Sequence, residues 1–355
     1  MTLRRLPETF IPDNAGLTFT FKLSSIRTLS RQPRWLSYGR PSLFGFVLLL
    51  SAASAHATPL SVFVSVLPLA TFVEAVGGER VTARPMVLPG QSPATYDPTP
   101  KQIAALADAD LYLRVGVPFE AAWMQRIQAA NADMLVLDMR DGLPLRPQDR
   151  HVHGDHAHGL EAGGRESMDA HLWTNPRLVR HMAVAIRDAL TRLDPDGAAF
   201  YAANQAAFDA ELVALDTELA ARLRGLESRR FLVYHPAWGY FADAYGLTQV
   251  PIEQDGKEPA ARRLTRLIDQ ARSAGARVIF VQPQFDRRAA ARVAREIDGR
   301  VEAVDPLARN YVANMRRVAA LIATEGDGAA GLDLDLSPPA YHGSSGAENK
   351  GAPPR

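Results

Sequence analysis

Phe208-Asp-Ala-Glu-Leu-Val-Ala-Leu-Asp-Thr-Glu-Leu-Ala-Ala-Arg-Leu223 decides the fold of this 355-residue chain. Phe200, Ala203, Phe208, Leu212, Leu215, Leu219 and Leu223 recur at helical spacing, so one helix is expected from about Asp196 to Leu226. About thirty residues of helix span about 45 Å, the length of a domain. On both sides of it, short apolar runs alternate with helical stretches. Upstream, strands are expected at 61–66, 81–88, 111–115 and 134–137, with helices through Phe72–Gly77, Pro100–Asp108 and Phe119–Ala130 between them. Downstream, strands at 231–234, 249–252, 278–281 and 301–304 alternate with helices at 236–245, 259–274 and 287–297. A closing helix is expected from Pro306 to about Thr324. Strands and helices alternating at this length argue for parallel sheets covered on both faces. The expected fold is α/β: two lobes, each a parallel sheet flanked by helices, joined by one long rigid connector helix.

The domain bounds follow from this pattern. Residues 1–57 read as a leader and signal peptide, 58–175 as an N-terminal lobe and 176–228 as the helical connector, broken at Leu193-Asp-Pro195. Residues 229–325 form a C-terminal lobe, and 326–355 are Gly-, Pro- and Ser-rich and expected to be disordered. Within the first lobe, 142–168 is a polar loop rich in Gly, His, Asp and Arg. The leader assignment rests on Arg31, Arg34 and Arg40, the apolar run Leu43–Leu50, and Ala55-His-Ala57. A basic region, a short apolar core and an A-x-A site mark an export signal cleaved after Ala57. That run is too short for a comfortable membrane span. The mature protein is thus expected to be soluble in an exported, periplasmic compartment, as a monomer.

Composition narrows the chemistry. Forty basic and 39 acidic residues leave a formal net charge of +1, which gives no reason to expect a nucleic-acid partner. The chain has no cysteine, which excludes disulfides, thiolate metal sites and a lipid-modified N-terminal cysteine. Any metal must be held by nitrogen and oxygen.

Histidines supply the nitrogen. His171 stands in Asp169-Ala-His-Leu-Trp-Thr-Asn-Pro176, downstream of a cluster formed by His151, His153, His156 and His158. His235 follows the expected strand 231–234, and Asp305 follows 301–304. Ligands of open parallel sheets bind beyond the carboxyl ends of the strands, so these positions can face one cleft with the loop 89–98. Neutral imidazoles with a carboxylate suit zinc and its neighbours. Each piece also has a plainer reading. Asp305 before Pro306 fits a helix N-cap. His235, between Tyr234 and Pro236, fits a hydrogen-bonded core histidine. The cluster at 151–158 fits a solvated loop, and His181 a helix surface.

With Asp-Ala-His171-Leu-Trp-Thr-Asn-Pro, the segment from Tyr234-His-Pro-Ala-Trp to Leu247, and Val304-Asp-Pro-Leu followed by Tyr311 and Met315, the chain resembles the zinc/manganese-type solute-binding receptors of ABC importers. Ser92-Pro-Ala-Thr-Tyr-Asp-Pro-Thr-Pro100, Glu258-Pro259 and Val278-Ile-Phe-Val-Gln-Pro fit the same family, and the resemblance covers about residues 60–324. It implies capture of a divalent metal between two lobes: Zn2+, with Mn2+ or another divalent transition metal as alternatives. It also implies delivery to an ABC-type permease in the inner membrane, with no catalysis. It carries the metal-ligand role to His171, His235 and Asp305, and makes the histidine cluster an auxiliary metal loop. Ala94 stands where the family usually has a histidine, which leaves a fourth position open. Gln91, as ligand or as hydrogen-bond partner to one, or a histidine of 151–158 would fill it. Two rivals remain. One is the same receptor fold with a metal chelate or small organic solute as cargo. The other is an exported zinc hydrolase, which lacks an H-E-x-x-H helix and has only Glu253 and Glu258 as nearby bases.

Overall fold

The computed structural model describes residues 58–148, 164, 168–253, 261–273 and 276–326. The export signal, the histidine cluster 151–158, Glu258 and the C-terminal tail from 327 onward lie outside the described residues.

Two four-stranded parallel sheets carry the fold. The first contains β1 (Leu60–Val64), β2 (Val81–Pro85), β3 (Leu111–Arg114) and β4 (Leu135–Asp138) in the order β2-β1-β3-β4. The second contains β5 (Arg230–Val233), β6 (Thr248–Pro251), β7 (Val278–Val281) and β8 (Arg300–Ala303) in the order β6-β5-β7-β8. Among the described residues the six strand pairings are parallel. Strand β7 is buried along its whole length, as are Val62–Val64 of β1, the unbroken apolar pattern of strands covered on both faces. Helices α1 (Leu67–Gly77), α2 (Pro100–Ala105) and α3 (Pro118–Ala130) connect the first sheet. Helices α6 (Gly239–Tyr245), α7 (Ala261–Ser273) and α8 (Arg287–Glu296) connect the second.

Between the sheets lie α4 (Pro176–Leu193) and α5 (Ala198–Arg222). They run antiparallel, as the pairs Arg177–Asp216 and Arg180–Asp209 require. The expected break at 193–195 is therefore a reversal, closed where the Tyr201 hydroxyl and the Arg80 guanidinium both reach Asp194. The expected connector is α5, whose 25 residues span about 37 Å. Its first half packs on the first lobe: Phe208 meets Phe72, and Asn204 donates to the Val76 carbonyl. Its second half meets the second lobe through Tyr245–Asp216 and through Arg316–Glu218 on α9 (Tyr311–Gly326). One phase detail differs from the sequence pattern. Tyr201 and Gln205 are buried in the first turns of α5, whereas Phe200 is 37% exposed.

The closing helix also differs. It begins at Tyr311, not at Pro306, and Asn310 rather than Asp305 caps it by accepting from the Ala313 amide. Residues 306–310 form a turn whose carbonyls serve the first lobe. Pro306 accepts from Trp173 Nε1 at 2.7 Å, and Arg309 accepts from Thr71 Oγ1 at 2.8 Å. Helix α6 likewise starts three residues later than expected, at Gly239, because 235–238 form the turn that leaves β5. Among the described residues no helix is long and apolar enough to cross a membrane.

Candidate metal centre

His171 is positioned by the start of α4. Asn175 caps that helix, its Oδ1 accepting from the Arg177 amide at 2.9 Å, with Pro176 at the first helical position. One turn of 3-10 helix, Leu172–Thr174, precedes the cap, and Thr174 Oγ1 donates to the His171 carbonyl. Leu172, Trp173 and Thr174 are buried, so His171 is held at the rim of a packed segment. The Asp-x-His spacing has a direct purpose. Asp169 Oδ1 accepts from the His171 amide at 3.0 Å and lies 2.7 Å from Nδ1 of the same residue.

His235 is the second residue past β5, at the point where the strand order reverses between β5 and β7. Gln282, directly after β7 and 1% exposed, clamps its backbone. The Gln282 amide donates to the His235 carbonyl at 2.8 Å, and its oxygen accepts from the His235 amide at 3.4 Å. Phe285 stacks on the imidazole at 5.1 Å. Nδ1 of His235 lies 2.5 Å from Oε1 of Glu253, a carboxyl that is 5% exposed.

The two imidazoles meet across the cleft, their ring centroids 5.3 Å apart. Both direct Nδ1 toward a buried carboxyl. An ionised carboxylate only accepts, so Nδ1 carries the proton and the Nε2 lone pair is left for an electrophile. A carboxylate behind the histidine is how metal-binding imidazoles are oriented and made more basic. Burial works against charge on Asp169, but His171 and the Arg146 guanidinium outweigh it and hold the carboxyl below its ordinary range.

Asp305 joins this cleft less directly. Its Oδ1 accepts from Gln284 Nε2 and from the Leu307 amide, each at 2.9 Å. Gln284 adjoins Phe285, so one short loop after β7 touches both Asp305 and His235. Burial pushes the Asp305 carboxyl up, and those two hydrogen bonds draw it partly back. Among the described residues no three of His, Asp and Glu converge as a metal group. The structure brings His171 and His235 together and leaves Asp305 bound to Gln284. Gln91 is exposed and its Oε1 accepts from the Leu88 amide at 3.0 Å, within its own loop. Ala94 and His181 are also exposed.

Sequence reasoning gave no role to Gln282 or Phe285, and named Glu253 only as the base of a rival hydrolase. The signal for Asp169 was present in the Asp-x-His spacing. For Glu253 there was none, because it lies 18 residues from His235 and meets it only through the pairing of β5 with β6.

A family model described as ZnuA, zinc-uptake complex component A, periplasmic, matches residues 62–325. The high-affinity zinc uptake system protein ZnuA of Paracoccus denitrificans is 30% identical over 284 residues, covering 72% of this chain and 86% of that protein. The zinc-binding lipoprotein AdcA of Streptococcus pneumoniae is 27% identical over 261 residues; the match covers 70% of this chain and spans half the length of that relative. Among solved structures, a crystal structure of ZnuA superposes with a TM-score of 0.71 at 38% identity, covering 76% of this chain and 99% of that one.

Proposed function

This chain belongs to the ZnuA family of periplasmic zinc-uptake components, and from that premise we propose that it captures a divalent transition metal, zinc first, and delivers it to an ABC-type permease. The observation that carries the reading is the meeting of His171 and His235, each with a buried carboxyl behind Nδ1. Two neighbouring imidazoles whose Nδ1 atoms are taken by carboxyls offer Nε2 as the nitrogen half of a zinc site, and Asp305 supplies a carboxylate once it is released from Gln284. With Ala94 in the loop after β2, the protein holds its metal with these three residues and fills the fourth position with water, Gln91 or a histidine from 151–158. Glu253, one of the two bases a hydrolase could use, is committed to His235 Nδ1, which favours a receptor that binds without turnover. The protein is exported with cleavage after Ala57 and works as a soluble periplasmic monomer.

Calorimetric titration of the chain from Thr58 with zinc tests this. One tight site is expected, lost in His171→Ala and in His235→Ala. Its survival on deletion of 151–158 would assign the metal to the cleft, and its loss would place the fourth ligand in the cluster. No tight site for zinc or manganese in the unmutated chain would overturn the reading.

A further inference from the structure

We propose that Arg146 is a positioning residue that fixes the His171 segment against the second lobe, so that both histidines sit on one body before metal arrives. The proposal rests on the metal-receptor reading. By chain order His171 belongs with the first lobe, and a metal held between His171 and His235 would then be what locks the lobes together. The contacts around Arg146 say otherwise. Its Nη1 lies 3.0 Å from Asp169 Oδ2, on the carboxyl whose other oxygen holds His171. Its Nε lies 3.0 Å from Asp243 Oδ2 on α6, in the second lobe. Its backbone amide donates to the Tyr240 hydroxyl, which donates in turn to the Asp169 carbonyl, both at 3.0 Å. Its carbonyl accepts from the Asp169 amide, also at 3.0 Å.

The second lobe is shaped to receive this guanidinium. It lies over the Tyr240 ring and against Gly239, where any Cβ would collide with Nη1. The far end of the same segment is pinned by Trp173 Nε1 on the Pro306 carbonyl, next to Asp305. His171 is thus tied to α6 on one side and to the turn after β8 on the other. Asp169 is 1% exposed as a side chain, so its negative charge needs a cation, and Arg146 is the one that also reaches across to Asp243. A guanidinium suits the task because its planar fork serves two carboxylates at fixed angles, as an ammonium cannot.

The test is zinc affinity, zinc release to a chelator and the visible spectrum of bound Co2+, for the chain from Thr58 and its Arg146→Gln, Arg146→Lys and Tyr240→Phe variants. Arg146→Gln is expected to weaken zinc about tenfold or more, as loss of a partner behind a ligand does, to speed release, and to change the Co2+ bands. Arg146→Lys should recover part of the loss. Tyr240→Phe keeps the ring and removes only the hydroxyl relay, so it should fold and shift affinity the same way by a smaller factor. If Arg146→Gln does not fold, Tyr240→Phe decides alone. Unchanged affinity and Co2+ spectrum in the folded variants would overturn the proposal. Absence of tight zinc and Co2+ binding in the unmutated chain would overturn the receptor reading itself, and is distinguishable because it needs no variant.

Discussion

The two lobes repeat one topology and use it differently. Both sheets have the second strand outermost, then the first, third and fourth, so each has a reversal of strand order between its first and third strands. Beyond the carboxyl ends of β1 and β3 that position is sealed. Glu120, 0% exposed, turns back from α3 and accepts from the Gly116 amide at 2.7 Å and the Val115 amide at 3.0 Å, with Arg114 alongside. Beyond β5 and β7 the equivalent position is held by Gln282, a neutral side chain that ties down the backbone of His235 and leaves its imidazole in the cleft. The fold offers the same crevice twice. A buried carboxylate satisfies the strand end in one and a carboxamide does so in the other, where His235, 19% exposed as a side chain, is the titratable group that follows the strand.

The largest expected effect comes from breaking the sealed side. Glu120→Ala leaves the Val115 and Gly116 amides buried without their acceptor and opens a cavity, and should cost about 3–5 kcal/mol in chemical denaturation. Zinc affinity of the folded fraction should stay within about twofold, because the change touches neither histidine. A loss of zinc binding as severe as that of His235→Ala would show that the first crevice is part of the site.

A second buried carboxyl sharpens the contrast from the opposite end of the other sheet. Glu325, near the end of α9, accepts from the Val278 amide at the start of β7, and among the described residues its buried Oε2 has no hydrogen bond within normal distance. Burial pushes this carboxyl up to about 7, with the backbone hydrogen bonds and Arg300 opposing. A folded pKa above the unfolded value means that the folded state binds the proton more tightly. That stabilisation is complete below about 4.5 and is lost as pH rises through about 7. Glu325→Gln should therefore match the unmutated chain near pH 4 and exceed it at pH 8.5, by up to about 3 kcal/mol. Denaturation midpoints at the two pH values check this, and a gap that does not widen with pH would refute it.

Much of this was legible in the sequence, for reasons that also explain what was not. The alternation of short apolar runs with helices reports burial of strands on both faces, and Val278–Val281 and Val62–Val64 obey it. His235 was legible because the first residues past a strand are fixed by the strand itself. Asp305 was ambiguous, since Asp-Pro fits a helix cap, and only the structure shows α9 starting at Tyr311. Arg146 carried no signal. Its partners Asp169, Tyr240 and Asp243 lie 23 to 97 residues away, and neither periodicity nor a motif records such a meeting. The same holds for Glu120, which reads as an ordinary first-turn acid of α3 until its carboxyl is seen to cap β3.

The smallest of these effects is also the most discriminating, because it compares the two carboxyls behind the two histidines. Asp169 shares its charge with Arg146, whereas among the described residues Glu253 has His235 as its one ionic partner, and its Oε2 is buried unpaired. If the carboxylate only orients its imidazole, Glu253→Gln should change zinc affinity little, since the amide oxygen still accepts the Nδ1 proton. Asp169→Asn does more, because it also sets an amide N–H2 against the Arg146 guanidinium. If charge matters as well, making the imidazole a better donor to a cation, Glu253→Gln weakens zinc too. Glu253→Gln is expected to weaken zinc about tenfold, roughly 1.4 kcal/mol, and Asp169→Asn at least as much. Competition titrations with a chelator of known affinity measure both, and an unchanged affinity in Glu253→Gln would reduce that carboxylate to an orienting group.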